Sequence, residues 1–283
     1  MNYLITGATG NIGSLVVRGL VSMGERPRVF VRDAEKARKL FGNQVDVAVG
    51  DLADPESLGR ALANVSALYL VNSDYGLDER DAAAAAIARK LGTRLLVKLS
   101  SIDAREQNVG TGVWHARGEA AIRASGIPFT FVQPSGFMSN ALYWARSIKA
   151  AAIVRSATGE GRIPFIHPRD IADVSIKALT TTDYLGQSLG ITGPEALTYG
   201  EMTAKIATAI GRSVRFETMT EDEAREQQVV WATPPALVDA RLSIFRAIRE
   251  GRLATVTEEV QRVLGRAPLS FDRWVSENCD AFR

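Results

Sequence analysis

The chain has 283 residues, 46% hydrophobic and 23% charged, the composition of an ordinary soluble globular protein with room for one large domain or a domain and a smaller lobe. A formal net charge of +2 gives no reason to expect nucleic acid or an anionic membrane as partner. Cys279 is the only cysteine and His115 and His167 are the only histidines, which excludes an internal disulfide and argues against a metal centre built on either residue type.

The chain opens on Tyr3, Leu4 and Ile5, an apolar run too short for a helix and predicted as a buried strand. It starts so close to Met1 that no signal peptide is expected, and no run of about 18 apolar residues suggests a membrane span. The default expectation is a cytoplasmic protein. Next the chain turns through Gly7, Ala8, Thr9, Gly10, Asn11, Ile12 and Gly13, after which Ile12, Leu15, Val16, Leu20 and Val21 recur at helical spacing. Strand, glycine turn and helix are the context that a dinucleotide-binding fingerprint requires. Gly7 then permits the tight turn, Gly10 admits a pyrophosphate to the backbone, and Gly13 lets the helix lie close on the strand. The helix N-terminus offers N–H groups to the phosphates. The competing reading is a strand-to-helix turn with no ligand.

A second strand over Arg28–Val31 ends in Arg32 and Asp33, where this arrangement faces the adenosine ribose. An acid there would bind both ribose hydroxyls and repel a 2′-phosphate, whereas an arginine would attract it. Arg32 comes first, with Lys36 and Arg38 following, so NADP(H) is expected over NAD(H). In the alternative, Arg32 is a solvated charge and Asp33 serves the ribose or caps the next helix. A third strand at 45–49 leads to Asp51 and Leu52, beside an expected adenine, and Asp54 caps a helix starting at Pro55. A fourth strand over Ala67–Val71 ends in Asn72 and Ser73. An Ala-rich helix closes at Gly92, and a fifth strand at 94–99 ends in Ser100 and Ser101. This alternation predicts a parallel sheet with right-handed crossovers, whose carboxyl rim carries small and polar residues and holds the ligand.

A helix around Trp114–Ser125 and a sixth strand, PFTFV, lead into Pro134, Ser135 and Gly136. Beyond them short strands such as GRIPFIH and SVRFE alternate with helices. The stretch from Glu221 to Gly251 is predicted helical, broken at Pro234–Pro235, and suited to act as a lid. The expected fold class is α/β: a Rossmann doubly wound parallel sheet over residues 1–150 with a smaller α+β C-terminal substrate lobe over 151–283, the two interleaved in one compact whole.

GATGNIG, VRDAEKA, GDL, LSS, the His115-x-x-x-Glu119 pair and IRASGIPFTFVQPSGFMSN, continued by IPFIHPRDIADV and ITGPEALTYGEM, together resemble the NmrA-like atypical short-chain dehydrogenase/reductases. The G-x-x-G-x-x-G spacing is the variant found in the extended and atypical members. Within the family the chain looks most similar to bacterial NAD(P)H azoreductase- and quinone-reductase-like members and to ergot-alkaloid iminium reductases. The resemblance implies that Gly7, Thr9, Gly10, Asn11, Ile12, Gly13, Arg32, Asp51, Asn72 and Ser73 line the cofactor. Leu52 and Ser100 flank that set, and Pro134, Ser135 and Gly136 are expected at the nicotinamide end.

Ordinary members carry a Tyr-x-x-x-Lys pair, in which the lysine acidifies a tyrosine that protonates a carbonyl oxygen. Here the two positions hold Thr111 and His115. Threonine is too weak an acid for that step, whereas histidine's ordinary pKa near 6.5 suits a general acid. His115 is therefore the first candidate for proton donor or ribose contact and Ser101 the second; the alternative makes His115 a structural residue tied to Glu119. Lys98 reads as a solvated or ion-paired lysine and His167 as part of a turn. Trp114, Phe137, Met138, Tyr143, Trp144 and Trp231 are either an aromatic substrate wall or plain core.

The expected function is NADPH-dependent hydride transfer to a small conjugated or aromatic acceptor: a quinone, azo bond, imine, iminium or enone. The alternative is an NADP(H)-binding redox sensor without catalysis. The expected partner is a small molecule, with no nucleic acid, membrane or metal, and the expected assembly is a monomer or homodimer.

Overall fold

A computed structural model describes all residues except 73–75, 107–108 and 231–233, together with the side chains of 228–230. The chain divides into two compact units. The first comprises Met1–Arg105, Val113–Pro134 and Pro168–Gly190; the second comprises Glu106–Gly112, Ser135–His167 and Ile191–Arg283.

In the first unit strands and helices alternate as β1 (Tyr3–Thr6), α1 (Asn11–Ser22), β2 (Arg28–Val31), α2 (Ala34–Phe41), β3 (Asp46–Val49), α3 (Pro55–Ala61), β4 (Ala67–Val71), α4 (Leu77–Lys90) and β5 (Leu95–Leu99). A short 3₁₀ turn at Ile102–Arg105 precedes α5 (Gly112–Ala124) and β6 (Phe129–Pro134). The sheet order is β3-β2-β1-β4-β5-β6, completed by a later strand over Ser188–Ile191, and every pairing from β3 to β6 is parallel. This is the Rossmann-like α/β sheet the alternation predicts. The strand order reverses between β1 and β4, and in such sheets ligands bind outside the carboxyl ends at that point.

Burial on both faces explains why the strands read as almost unbroken apolar runs. Leu4, Leu68, Leu70, Leu96 and Phe131 pack with Leu58 and Leu62 from α3, Ala84, Ala85 and Ala88 from α4, and Ile122 from α5. Alanine on α4 lets that helix lie close to the sheet without leaving its best helix-forming residue type. Local signals set the helix starts: Asp33 accepts from the Lys36 amide at 3.0 Å, and Asp54 accepts from the amides of Glu56 and Ser57 ahead of Pro55.

In the second unit a 3₁₀ segment at Met138–Trp144 runs into α6 (Ala145–Ala151), β7 (Ile153–Ser156) and β8 (Arg162–Ile163). The chain then re-enters the first unit as α7 (Pro168–Thr180) and β9 (Ser188–Ile191). It returns as β10 (Leu197–Thr198), α8 (Tyr199–Ile210), β11 (Arg215–Thr218), α9 (Glu221–Val230), α10 (Pro235–Arg249), α11 (Glu259–Leu264) and α12 (Phe271–Asn278). β7 and β11 pair parallel, and β8 and β10 antiparallel. Met138, Ile148, Val154, Met202, Ile206, Ile248, Phe271, Trp274 and Phe282 form this unit's main core. A smaller cluster holds Val238 and Leu242 of α10 against Ala157 and Ala224, so α10 is anchored along its length. Among the described residues no helix is long and apolar enough to cross a membrane.

On the sheet face opposite α3 and α4, α7 packs beside α1 and supplies Ser175, whose Oγ lies 2.9 Å from the fully buried Tyr69 hydroxyl. Ser175 donates its own proton to the Ile171 carbonyl at 2.7 Å, so Tyr69 is the donor between them. Tyr69→Phe removes this bond and leaves Ser175 satisfied through Ile171. The expected cost is about 1 kcal/mol, read as a lower urea midpoint with an unchanged slope.

Candidate active site

The glycine turn is held at both ends. The Thr6 hydroxyl accepts from the Val71 amide at 2.7 Å and lies 3.1 Å from the Val71 carbonyl, tying the ends of β1 and β4 together. Gly7 has φ of +59°, and a Cβ there would stand 2.8 Å from Val71 Cβ, so this position excludes any side chain. A Cβ on Gly13 would run into the Gly7 carbonyl, which shows how closely α1 lies on the turn. Gly10 caps α1 in extended conformation without a side-chain cap, and no acid lies in the first helical turn. The positive end of the helix dipole is thus not offset by an acid of its own first turn. A cradle that Cβ atoms would fill, lined by backbone donors, suits the diphosphate of a dinucleotide. Around it Asn11 is exposed, Thr9 half-buried and Ile12 buried.

At the end of β2, Asp33 is committed to capping α2, whereas Arg32 is exposed and its guanidinium has no partner among the described residues. Asp51 closes its own turn by accepting from the Ala53 amide at 2.9 Å, and Leu52 packs against the apolar core. At the end of β4 the Asn72 side chain is fully employed. Its amide nitrogen donates to Leu77 O at 3.0 Å and Asp81 Oδ1 at 3.3 Å, and its oxygen accepts from Arg80 at 3.2 Å. Any Asn72 contact to a ligand is left to the backbone. Ser73 lies outside the described residues.

At the end of β5 the Ser100 hydroxyl donates to Glu119 Oε1 at 2.6 Å, and Gln133 of β6 donates to the same oxygen at 2.8 Å. Arg105 donates to Gln133 at 2.8 Å, and Arg123 stands 3.6 Å from Glu119. Ser101 is half-buried and accepts from the Asp103 amide at 3.3 Å. Glu119 is therefore occupied by Ser100 and Gln133 rather than by His115.

His115, in the first turns of α5, is 7% exposed. Burial, aided by the Lys98 ammonium, holds its imidazole pKa well below 6.5. The ring is neutral at physiological pH, so the general-acid argument from its ordinary pKa does not survive the fold. Lys98 itself is not solvated. It is wholly buried on β5 and pairs with the buried Asp81 of α4 at 2.5 Å. Burial pushes the Asp81 carboxyl up, and Lys98 opposes that push.

Residues 7–182 match the model of a family described as NAD(P)H-binding. The chain is 38% identical over 283 residues to the (4-alkanoyl-5-oxo-2,5-dihydrofuran-3-yl)methyl phosphate reductase of Streptomyces griseus, covering 99% of this chain and 98% of that one. It is 34% identical to the NAD(P)H azoreductase of Xenophilus azovorans, with coverage of 99% and 98%. The chain belongs to the NAD(P)H-binding, NmrA-like family of atypical short-chain dehydrogenase/reductases. It is an NAD(P)H-dependent oxidoreductase. In fold it is similar to the NADPH-dependent quinone oxidoreductase of Escherichia coli complexed with NADPH, with a TM-score of 0.88 at 22% identity, over 97% of this chain and 99% of that one.

Several expected residues of this oxidoreductase belong to its second unit. Thr111 is half-buried just before α5. Pro134 is the last residue of β6, in the first unit, and the two residues after it are built into the second. The Ser135 hydroxyl donates to Pro164 O at 2.5 Å, and Gly136 O accepts from the Ile166 amide at 2.8 Å. Of the aromatic wall, Met138 is core and Trp144 packs tilted on Tyr199 at 5.0 Å, whereas Tyr143 is 73% exposed. Phe137 and Trp114 are half-buried, and Trp231 lies outside the described residues. His167 is buried with Nε2 3.4 Å from Glu277.

The ion-paired reading of Lys98 holds; its partner Asp81 and the Glu119–Gln133–Arg105 chain are what sequence reading missed. One signal was available: a lysine inside LLVKL, in a strand buried on both faces, has to find a counter-charge.

The depressed His115 pKa gives a stability prediction. The unfolded chain takes up a proton at this ring below about pH 6.5 while the folded chain does not, so stability falls as pH falls through that point. Between about pH 6.5 and 5.5 one such group costs about 1 kcal/mol. Urea unfolding at about pH 6.5 and 5.5 is expected to show this loss in the native chain and to lack it in His115→Gln.

Proposed function

We propose that this oxidoreductase reduces a small conjugated acceptor with NADPH: a quinone, azo bond, imine, iminium or enone whose hydride adduct is neutral or a stabilised anion until solvent protonates it. The observation that carries the reading is the burial of His115, 7% exposed, which holds its imidazole pKa well below the ordinary value. With Thr111 in the other position of the ordinary acid pair, neither residue gives up a proton readily near neutral pH. A general acid contributes roughly 3–5 kcal/mol, whereas positioning can contribute about 7–11 kcal/mol. An acceptor that already draws electrons can forgo the first and rely on the second. The substrates named for the two curated relatives, an alkanoyl-oxo-dihydrofuran and an azo compound, support an electron-poor acceptor.

In this reading bound NADPH supplies the hydride. The turn from Gly7 through Thr9, Gly10, Asn11 and Ile12 to Gly13 holds the diphosphate with backbone amides, and Arg32 pairs with the 2′-phosphate. Asp51 and Leu52 flank the adenine, and Asn72 lines the cofactor through its backbone. Ser100, Pro134, Ser135 and Gly136 serve the nicotinamide end. His115 acts by hydrogen bonding, with Ser101 as the second polar group of the site.

The test is NADPH consumption with a quinone, an azo dye, a cyclic iminium, an enone and an isolated ketone. Turnover of the conjugated acceptors and none of the ketone is expected. Comparable turnover of the ketone, which needs an acid, would sink the proposal.

Arg32→Ala checks the cofactor half of the reading. Loss of a hydrogen bond to a charged group raises the KM for NADPH about ten- to a hundredfold, and the KM for NADH stays where it was. Equal use of the two cofactors by the native chain would remove Arg32 from the 2′-phosphate role.

A further inference from the structure

Three buried polar atoms of the first unit, Asp81 Oδ2, Lys98 Nζ and His115 Nδ1, have no hydrogen-bond partner among the described residues outside this group. The first two face each other as the 2.5 Å ion pair. A Cβ on Gly118 would strike Asp81 Oδ2, and Gly118 follows His115 by three residues, on the same face of α5. The imidazole and the pair therefore share the space between α4, α5 and β5. A buried pair is seldom more stabilising than apolar residues of the same volume, so stability does not account for this one.

The two ring nitrogens of His115 differ in surroundings. Nδ1 is enclosed without a partner, whereas Nε2 is not among the enclosed, unpartnered atoms. A proton on Nδ1 would be a buried donor without an acceptor, in a ring whose charged form the Lys98 ammonium already disfavours. A lone pair there is stabilised by that same ammonium.

We propose that the Asp81–Lys98 pair sets the tautomer of His115, leaving the lone pair on Nδ1 and the proton on Nε2, so that the ring is a neutral hydrogen-bond donor toward charge developing on the acceptor. Lys98 and Asp81 are then positioning residues, acting through His115. This rests on the reading of His115 as part of the reductase site. Lys98 lowers the imidazole pKa in the same sense. Of the other charged groups on α4 and α5, Asp78 stands 3.9 Å from Arg117. Arg80 of α4 donates to Asn72, and Glu119 of α5 is occupied by Ser100, Gln133 and Arg123. The charge this ring meets is thus the Lys98 ammonium, with Asp81 behind it.

The experiment is nitrogen-15 NMR of the full chain labelled at histidine, with His167→Gln to tell the two rings apart. The native chain is expected to show a bare nitrogen at Nδ1 and an N–H at Nε2, unchanged between about pH 7.5 and 6. The double variant Asp81→Leu/Lys98→Met removes both charges together. It is expected to mix the tautomers, move the His115 titration upward, and lower kcat/KM for a quinone about tenfold with little change in the KM for NADPH.

A proton on Nδ1 in the native chain, or titration near the ordinary value, would overturn the proposal. So would a folded double variant with the native tautomer and pH profile. If the double variant does not fold, the native spectrum decides alone. The two readings fail separately. An Nε2–H ring in a chain that reduces no acceptor ends the reductase reading of His115, and an Nδ1–H ring in an active chain ends only the role given to Lys98 and Asp81.

Discussion

A lysine and an aspartate, neither reachable by solvent, meet at the centre of the first unit, and the shape of the ligand rim follows from where they sit. Taking two charges out of water costs several kcal/mol per ion, a debt that close contact in a low-dielectric interior only partly offsets. The geometry of their surroundings is correspondingly tight. Asp81 receives the amide of Asn72 at the end of β4, faces Lys98 on β5, and lies against Gly118 of α5, where nothing larger than hydrogen fits. Two strand ends and two helices are thereby fixed relative to one another at the rim.

The same neighbourhood holds a second buried carboxylate, handled differently. Glu119 is met by the Ser100 hydroxyl and the Gln133 amide, with Arg123 reaching in from a partly exposed position over the Phe131 ring, 4.7 Å from its centroid. Hydrogen-bond donors rather than a buried ammonium satisfy it. Between these two carboxylates stands His115, beside a cation and without an anion of its own. Burial first, and the Lys98 ammonium second, hold the ring in its neutral form. The position that holds a lysine in ordinary relatives carries a buried imidazole instead of an ammonium.

Cofactor recognition uses a different kind of constraint, one carried by the backbone. At the glycine turn the selecting feature is the absence of side chains: Gly7 against Val71 and Gly13 against the Gly7 carbonyl leave amides where other residues would place carbon. Charge enters only at Arg32, whose neighbour Asp33 is removed from competition because it caps α2. The local helix cap at Asp33 thus leaves Arg32 as the exposed charge at the end of β2.

Much of this was legible in the residue order because it is local. Alternating apolar strands and amphipathic helices, the glycine spacing, and the caps at Asp33 and Asp54 act over a few residues, so the parallel α/β sheet and its phosphate-binding turn could be read directly. Other features could not. Asp81 and Lys98 lie on the consecutive elements α4 and β5, yet nothing in DAAAAA or LLVKL says that the two face each other. Met138 and Trp144 suit a pocket wall as well as a core, and only their neighbours, Tyr199 among them, decided for core. Histidine at position 115 was visible from the outset, but its charge state was not. The sequence by itself determined the fold class and the cofactor family, because short-range sterics and hydrogen bonding specify them. The tertiary structure alone decided which side chains share a desolvated space, and hence the protonation of His115, because desolvation and through-space charge exist only once distant segments are packed together.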